Sequence, residues 1–353
     1  MKTAYSHGGD IYKFNKDILD FSANINPLGM PEKAKKTIAD NISAYFTYPD
    51  YANRELCSAL EKFYQVNSRK IVCGNGAADL IYRIVISQKP ENALITAPTF
   101  SEYEEALSTF SCNIKYHYLH EAEDFRLQED FLDSMDEDLN IIFLCSPNNP
   151  TGSVIEIDLL SQILEKAKKI GATVVLDQCF LHFIEEEKPY NAIPLLESFD
   201  NLIILQAATK IFAMAGLRLG YCFVGNELVA DEIRTTLQPW SVSTVASKAG
   251  IAALEEADFI SKSKAYIKTQ RRFLSEKLAS LGYKVFPSEA NYILIKGSKA
   301  LGEALRKKGL LIRYCENYKS LNSNFYRLAV KSERENKKLV DELEDLGPKF
   351  SEL

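Results

Sequence analysis

Through most of the chain, short and nearly uninterrupted apolar runs alternate with amphipathic stretches. The runs at 70–73, 92–96, 141–145, 173–176, 201–205 and 220–224 are rich in Val, Ile and Leu and show no strict polar alternation. Such runs suit strands buried on both faces, as in a parallel sheet. Between them, apolar spacing predicts helices over 78–87, 103–110 and 157–170. Strand–helix alternation of this kind predicts an α/β domain around a mainly parallel sheet. After residue 246 the pattern changes. One long charged amphipathic helix is expected from 247 to 281, then a strand at 292–295, a helix at 298–308, strands at 310–314 and 325–330, and a charged helix at 332–346. This tail reads as a smaller α+β domain.

Composition narrows the partners. The chain has 353 residues and a formal net charge of -6, which argues against nucleic acid as the main partner. No apolar run reaches the roughly 18 residues of a membrane-spanning helix. The first residues, Met1 to Gly9, contain no apolar signal-peptide core, so the cytoplasm is the expected compartment. The seven cysteines form no C-x-x-C pair and sit mostly in apolar surroundings, reading as reduced core residues. The four histidines show no metal-ligand spacing.

Lys210 stands out from this background. It closes the run from Leu202 to Thr209 and precedes Ile211 to Tyr221, a stretch that contains Arg218. Lysine is rarely buried without a partner, and a desolvated one becomes a nucleophilic amine able to condense with a carbonyl. On this segment alone, a lysine snorkelling from a buried strand explains the pattern equally well. With Arg218 about two helical turns further on, lysine and arginine could face one site and hold a phosphorylated aldehyde, pyridoxal 5′-phosphate (PLP).

Other segments weigh on that choice. Asp177 ends the run 173–176, at the carboxyl end of a buried strand, where open α/β sheets bind ligands. A carboxylate there could keep a pyridine nitrogen protonated, a reading that Lys210 favours over a helix or turn cap. Gly74-Asn75-Gly76-Ala77-Ala78-Asp79 follows a strand and opens a helix, a place where backbone amides can meet a phosphate or simply make a tight turn. Asn149 sits in the Pro- and Gly-marked loop 146–152, and Phe100 follows Pro98-Thr99. Asn149 could donate to a cofactor oxygen and Phe100 could stack on a flat ring, although a turn and a core aromatic are the ordinary explanations. Arg313 and Arg327 are lone cations in apolar strands, which want a carboxylate or phosphate, whether from a ligand or from an ion pair. His7-Gly8-Gly9 could wrap a small anion, or be no more than a loose terminus.

Taken in order, these pieces resemble the PLP-dependent enzymes of fold type I, the aspartate aminotransferase superfamily, from end to end. The resemblance implies a large domain with a mainly parallel central sheet (46–246), a smaller α+β domain (247–353), and an N-terminal segment (1–45) packing with the latter. It implies that Lys210 forms the Schiff base with PLP and that Asp177 holds the pyridine nitrogen. Asn149 would meet the phenolic oxygen and Phe100 the ring, with Gly76, Ala77, Thr209 and Arg218 on the phosphate. Tyr48, in Thr47-Tyr48-Pro49-Asp50, would reach the phosphate of the neighbouring subunit's cofactor, which implies a homodimer. Arg327 would bind a substrate carboxylate.

Within the superfamily, His7-Gly8-Gly9, the segment 19–29, the segment 98–104 and the Arg313/Arg327 pair look closer to the threonine-phosphate decarboxylases of cobalamin biosynthesis than to the histidinol-phosphate aminotransferases. That resemblance implies a phosphorylated hydroxy-amino acid as substrate, threonine phosphate or serine phosphate, bound by His7, Gly8, Asn26, Arg313 and Arg327. An aminotransferase acting on histidinol phosphate or an aromatic amino acid is the alternative. Two positions depart from the family pattern. Phe180 stands where a tyrosine hydroxyl is common, and Ala207 stands three positions before Lys210, where a hydroxyl is expected. The missing phosphate contact at Ala207 is worth about 1.5–3 kcal/mol if nothing replaces it.

Overall fold

The computed structural model describes residues 7–14, 18–256 and 258–351. Its centre is a seven-stranded sheet. In spatial order the strands are Ile71–Gly74, Gly220–Val224, Leu202–Ala207, Thr173–Asp177, Ile141–Cys145, Asn92–Ala97 and Asn113–Tyr118. All run the same way except Gly220–Val224, which is antiparallel to both neighbours.

The apolar runs do not alternate because both faces of this sheet are covered. Val174 and Leu176 pack into one core cluster, while Val175 between them packs into the other; Ile204 and its neighbours Ile203 and Leu205 divide in the same way. Helices Ala77–Gln88 and Glu227–Thr236 supply apolar side chains to one cluster. Helices Arg54–Tyr64 and Ile157–Ile170 supply the other.

A second, four-stranded antiparallel sheet has the order Arg313–Tyr314, Phe325–Ala329, Tyr292–Lys296, Lys284–Val285. The N-terminal segment joins this part of the molecule through a short parallel pair, Leu19 with Leu310 and Asp20 with Leu311.

The structure corrects several expectations. The strand Asn113–Tyr118 was not expected; it is an edge strand whose polar, mostly exposed side chains carry no buried-strand signal. The single helix over 247–281 is two helices, Thr244–Leu254 and Asp258–Ser280, separated at Glu255–Glu256. Ala257 lies outside the described residues. The expected strand 310–314 is two strands in different sheets, Leu310–Leu311 and Arg313–Tyr314, so the chain changes partner at Ile312. Ser332 caps the last helix, Glu333–Leu346, through a reciprocal bond with Glu335.

Candidate active site

The register of the large sheet brings the predicted residues together at one edge. Gly76, Phe100, Asn149, Asp177 and Lys210 all lie at or just beyond the carboxyl ends of codirectional strands. Arg218 arrives from the opposite direction, two residues before the antiparallel strand Gly220–Val224 begins. Ala77, Phe100, Asn149, Asp177, Phe180, Ala207, Thr209, Lys210 and Arg218 line one cavity of about 160 Å³, with Ala78, Cys145 and Cys179 completing it. Arg218 does not reach it along a helix, as the sequence suggested. The helix carrying Lys210 is only Ala208–Ile211, and a loop returns the chain with Arg218 at a left-handed φ of 61°. A non-glycine residue held there stores strain, a common mark of a ligand clamp.

The phosphate end of the cavity is a cradle of backbone and guanidinium. Gly76 caps helix Ala77–Gln88 with φ 89°, and a Cβ there would sit 2.6 Å from Arg218 Nη2. Glycine thus lets the guanidinium close over the helix N-terminus, where free amides and the helix dipole favour an anion. Gly220 serves the same approach, since a Cβ on it would lie 2.4 Å from the Ala77 nitrogen.

Lys210 and Asp177 occupy the other end. Burial, and then repulsion from the Arg327 guanidinium, lower the Lys210 ammonium to about 8, against weaker attraction from Cys179 and Asp177. Its Nζ lies 5.5 Å from the centre of the Phe180 ring. Asp177 Oδ1 accepts from the Cys179 amide at 2.9 Å, and its Oδ2 accepts from the Tyr103 hydroxyl at 2.7 Å. Burial, then the Asp177 charge, raise the Tyr103 phenol well above its ordinary value, so it remains a donor. Phe100 packs edge-on to Tyr103, with centroids 5.7 Å apart.

On the side of the small sheet, Arg313 and Arg327 face each other directly across paired strands, and both are buried. Like charges opposite one another destabilise a strand pair, and buried charges need counter-charges. Yet their hydrogen-bond partners are neutral. Arg313 Nη2 donates to Asn317 Oδ1 at 2.8 Å, Arg327 Nη2 to the Ser22 carbonyl at 2.8 Å, and Arg327 Nη1 to Asn149 Oδ1. Arg327 Nε is buried and has no hydrogen-bond partner among the described residues.

The N-terminal segment leans on this cluster. The Gly9 amide donates to Ser22 Oγ at 2.8 Å, and a Cβ on Gly8 would fall 2.1 Å from the Ser22 carbonyl oxygen. His7 lies 2.8 Å from Glu102 Oε1 and tilts toward Phe100 at 6.1 Å between ring centres. Asn26 is used differently from the expectation. It is buried, its Nδ2 donates to the Ile211 carbonyl at 2.7 Å and to Ser263 Oγ at 2.8 Å, and it does not line the cavity. Asn26 thereby holds the backbone just after Lys210. Tyr48 is also away from the cavity, exposed and stacked on Trp240 at 4.4 Å.

Three contributors escaped the sequence: Tyr103 on Asp177, Tyr318 on Asn149 at 3.2 Å, and the Ser22 carbonyl on Arg327. Each partner lies at least 74 residues away along the chain, so no local pattern signals it.

The residues fit PLP. The cavity is lined by an anion cradle, a buried carboxylate and an amine whose environment favours loss of its proton. Comparison with known proteins agrees. The family model for aminotransferase class I and II matches residues 16–343. The threonine-phosphate decarboxylase of Salmonella typhimurium is 34% identical over 97% of this chain and 96% of that protein. The histidinol-phosphate aminotransferase of Methanosarcina mazei is 32% identical over 92% of this chain and 87% of its own length. The crystal structure of the histidinol-phosphate aminotransferase from Clostridium acetobutylicum superposes with a TM-score of 0.87 at 29% identity, covering 93% of this chain and 99% of that one. The chain belongs to the class I and II aminotransferase family of PLP-dependent, fold type I enzymes.

Proposed function

We propose that this protein is a PLP-dependent decarboxylase that converts L-threonine O-3-phosphate, or serine phosphate, to an aminoalkanol phosphate for cobalamin biosynthesis. The supporting observation is the Arg313/Arg327 pair: two buried guanidiniums opposite one another with only neutral partners. A substrate carrying a carboxylate and a phosphate at once neutralises both. Histidinol phosphate has a single anionic group, which the two guanidiniums would have to share. His7 and Gly8, docked over Ser22 and Phe100, stand where they can close on the phosphate.

When bound, PLP supplies an electron sink for the pair released as the substrate bond breaks. The chain's own residues do the rest. Gly76, Ala77, Thr209 and Arg218 bind the cofactor phosphate, Phe100 covers the ring, and Asn149 donates to the phenolic oxygen. Asp177, fixed by Tyr103, accepts the proton-bearing pyridine nitrogen. Lys210 holds a proton loosely at Nζ and can take it up or return it near neutral pH. Arg313, Arg327 and His7 orient the substrate by its anions, so the bond to the carboxylate is presented for cleavage and not the Cα–H bond.

Two further features belong to this reading. Exposed Ile42, Phe46, Tyr48, Tyr51 and Trp240 support a homodimer in which Tyr48 reaches the partner's cofactor phosphate. Among the described residues no helix is long and apolar enough to cross a membrane, and we place the enzyme in the cytoplasm. The organisation we propose is an N-terminal segment (1–45), a cofactor domain (46–246) and a small domain (247–353).

The test is product analysis. Holoenzyme given threonine phosphate or serine phosphate should release carbon dioxide and leave the corresponding aminoalkanol phosphate. Amino transfer from histidinol phosphate to 2-oxoglutarate, without carbon dioxide release from either phospho-amino acid, would make it an aminotransferase instead.

A further inference from the structure

Tyr318 lies in the loop between the strands Arg313–Tyr314 and Phe325–Ala329 and is only 5% exposed. It touches two parts of the site at once. The Arg313 guanidinium stands over its ring at 5.3 Å, and its hydroxyl donates to Asn149 Oδ1 at 3.2 Å, across 169 residues of sequence. Asn149 Oδ1 also accepts from Arg327 Nη1. A carboxamide oxygen has two lone pairs, and here two donors occupy them. The amide therefore has one orientation: its oxygen faces the small sheet and its Nδ2 is left for the cavity that Asn149 lines. A flipped amide would point N–H groups at a guanidinium and leave the Tyr318 hydroxyl without this acceptor.

We infer that Tyr318 is a positioning residue that locks the Asn149 amide so that its Nδ2 donates to the phenolic oxygen of the bound cofactor. The inference rests on the placement of Asn149 proposed above. A hydroxyl donating to Oδ1 also polarises the amide and strengthens its N–H as a donor, as in other hydrogen-bond chains. The chain needs such a relay because Phe180, which lines the same cavity, brings no hydroxyl to it. Tyr318 delivers a phenol one residue removed, through Asn149. Its ring serves the same end: carrying Arg313 on its face, it holds that cation in line with Arg327, whose Nη1 is the other donor on Oδ1.

The readout is the visible absorption of the holoenzyme, which titrates as the proton shared between the Lys210 nitrogen and the phenolic oxygen departs. Donation by Asn149 favours the anionic oxygen, so weakening it moves the midpoint to higher pH. Wild type, Tyr318→Phe and Asn149→Ala are titrated side by side. Tyr318→Phe keeps the ring under Arg313 and removes only the hydroxyl. Its midpoint is expected to rise by about half a pH unit, in the direction of Asn149→Ala and by less. Its kcat/KM should fall ~5–20-fold while its thermal midpoint stays at the wild-type value, a combination that a purely packing role does not give. If Asn149→Ala moves the spectral midpoint and Tyr318→Phe does not, Tyr318 has no positioning role and the placement of Asn149 stands. If neither variant moves it, the placement of Asn149 is wrong and the inference falls with it.

Discussion

The two halves of the site are made differently. The cofactor half is built almost entirely by one sheet, in which codirectional strands deliver Gly76, Phe100, Asn149, Asp177 and Lys210 to one edge by register alone. Its carboxylate is already answered, since Asp177 has two donors, and Arg218, held by the Ala215 carbonyl, is set beside a helix N-terminus as a ready anion cradle. The proposed substrate half is assembled from distant pieces: His7–Gly9 with Ser22, and the small sheet with Arg313 and Arg327. It retains two facing cations and an unpartnered Nε. One half is preorganised by the fold; the other is completed by the ligand it receives.

Four experiments probe this contrast. The largest effect belongs to Lys210→Ala, which should abolish turnover and remove the cofactor's visible band, while the fold survives by circular dichroism. Next, Arg327→Lys keeps a positive charge but loses the planar fork, and kcat/KM for threonine phosphate should drop about 100-fold with the affinity for the cofactor nearly unchanged. An equal loss of cofactor binding in that variant would erase the distinction between the halves. Third, Gly76→Ala places a Cβ against Arg218 at a φ of 89° and should weaken cofactor binding about tenfold by equilibrium dialysis, leaving KM for the substrate of the loaded enzyme alone.

The smallest effect is on stability. Lys210 titrates at about 8 in the folded protein, below the ordinary lysine value of 10.5. Between those values the unfolded chain binds a proton that the folded chain does not, so stability rises with pH across that window, and below about 8 the penalty is complete. Cofactor-free Lys210→Met should therefore melt above cofactor-free wild type at pH 7, and the gap should narrow toward pH 10. A gap independent of pH would mean that the amine is not desolvated.

The cofactor half was largely readable in the sequence because each residue ends an apolar run, and runs buried on both faces announce parallel strands. Lys210 and Asp177 stood out as positions, but their own segments left a snorkelling lysine and a turn cap open, and only the other segments joined them to a cofactor. Arg218 was placed for the wrong reason: its reach comes from a loop and a left-handed residue, not from helical spacing. The substrate half was readable only as isolated cations. That Arg313 opposes Arg327, that Tyr318 reaches Asn149, and that Asn26 braces the carbonyl of Ile211 depend on contacts between segments far apart. The break at Glu255–Glu256 was hidden because charged residues continue the polar face of an amphipathic pattern whether or not the backbone turns.

The pairing of Leu19–Asp20 with Leu310–Leu311 also sets an order of assembly. A ribosome makes the first strand long before its partner, with a delay on the order of half a minute at common elongation rates. All seven strands of the central sheet emerge within that interval, because the last of them ends at Val224. The strands that carry Asp177 and Lys210 are therefore all made before Leu19–Asp20 has its partner strand. Arg313 and Arg327, the cations proposed to hold the substrate, are the last charged residues of the site to be made.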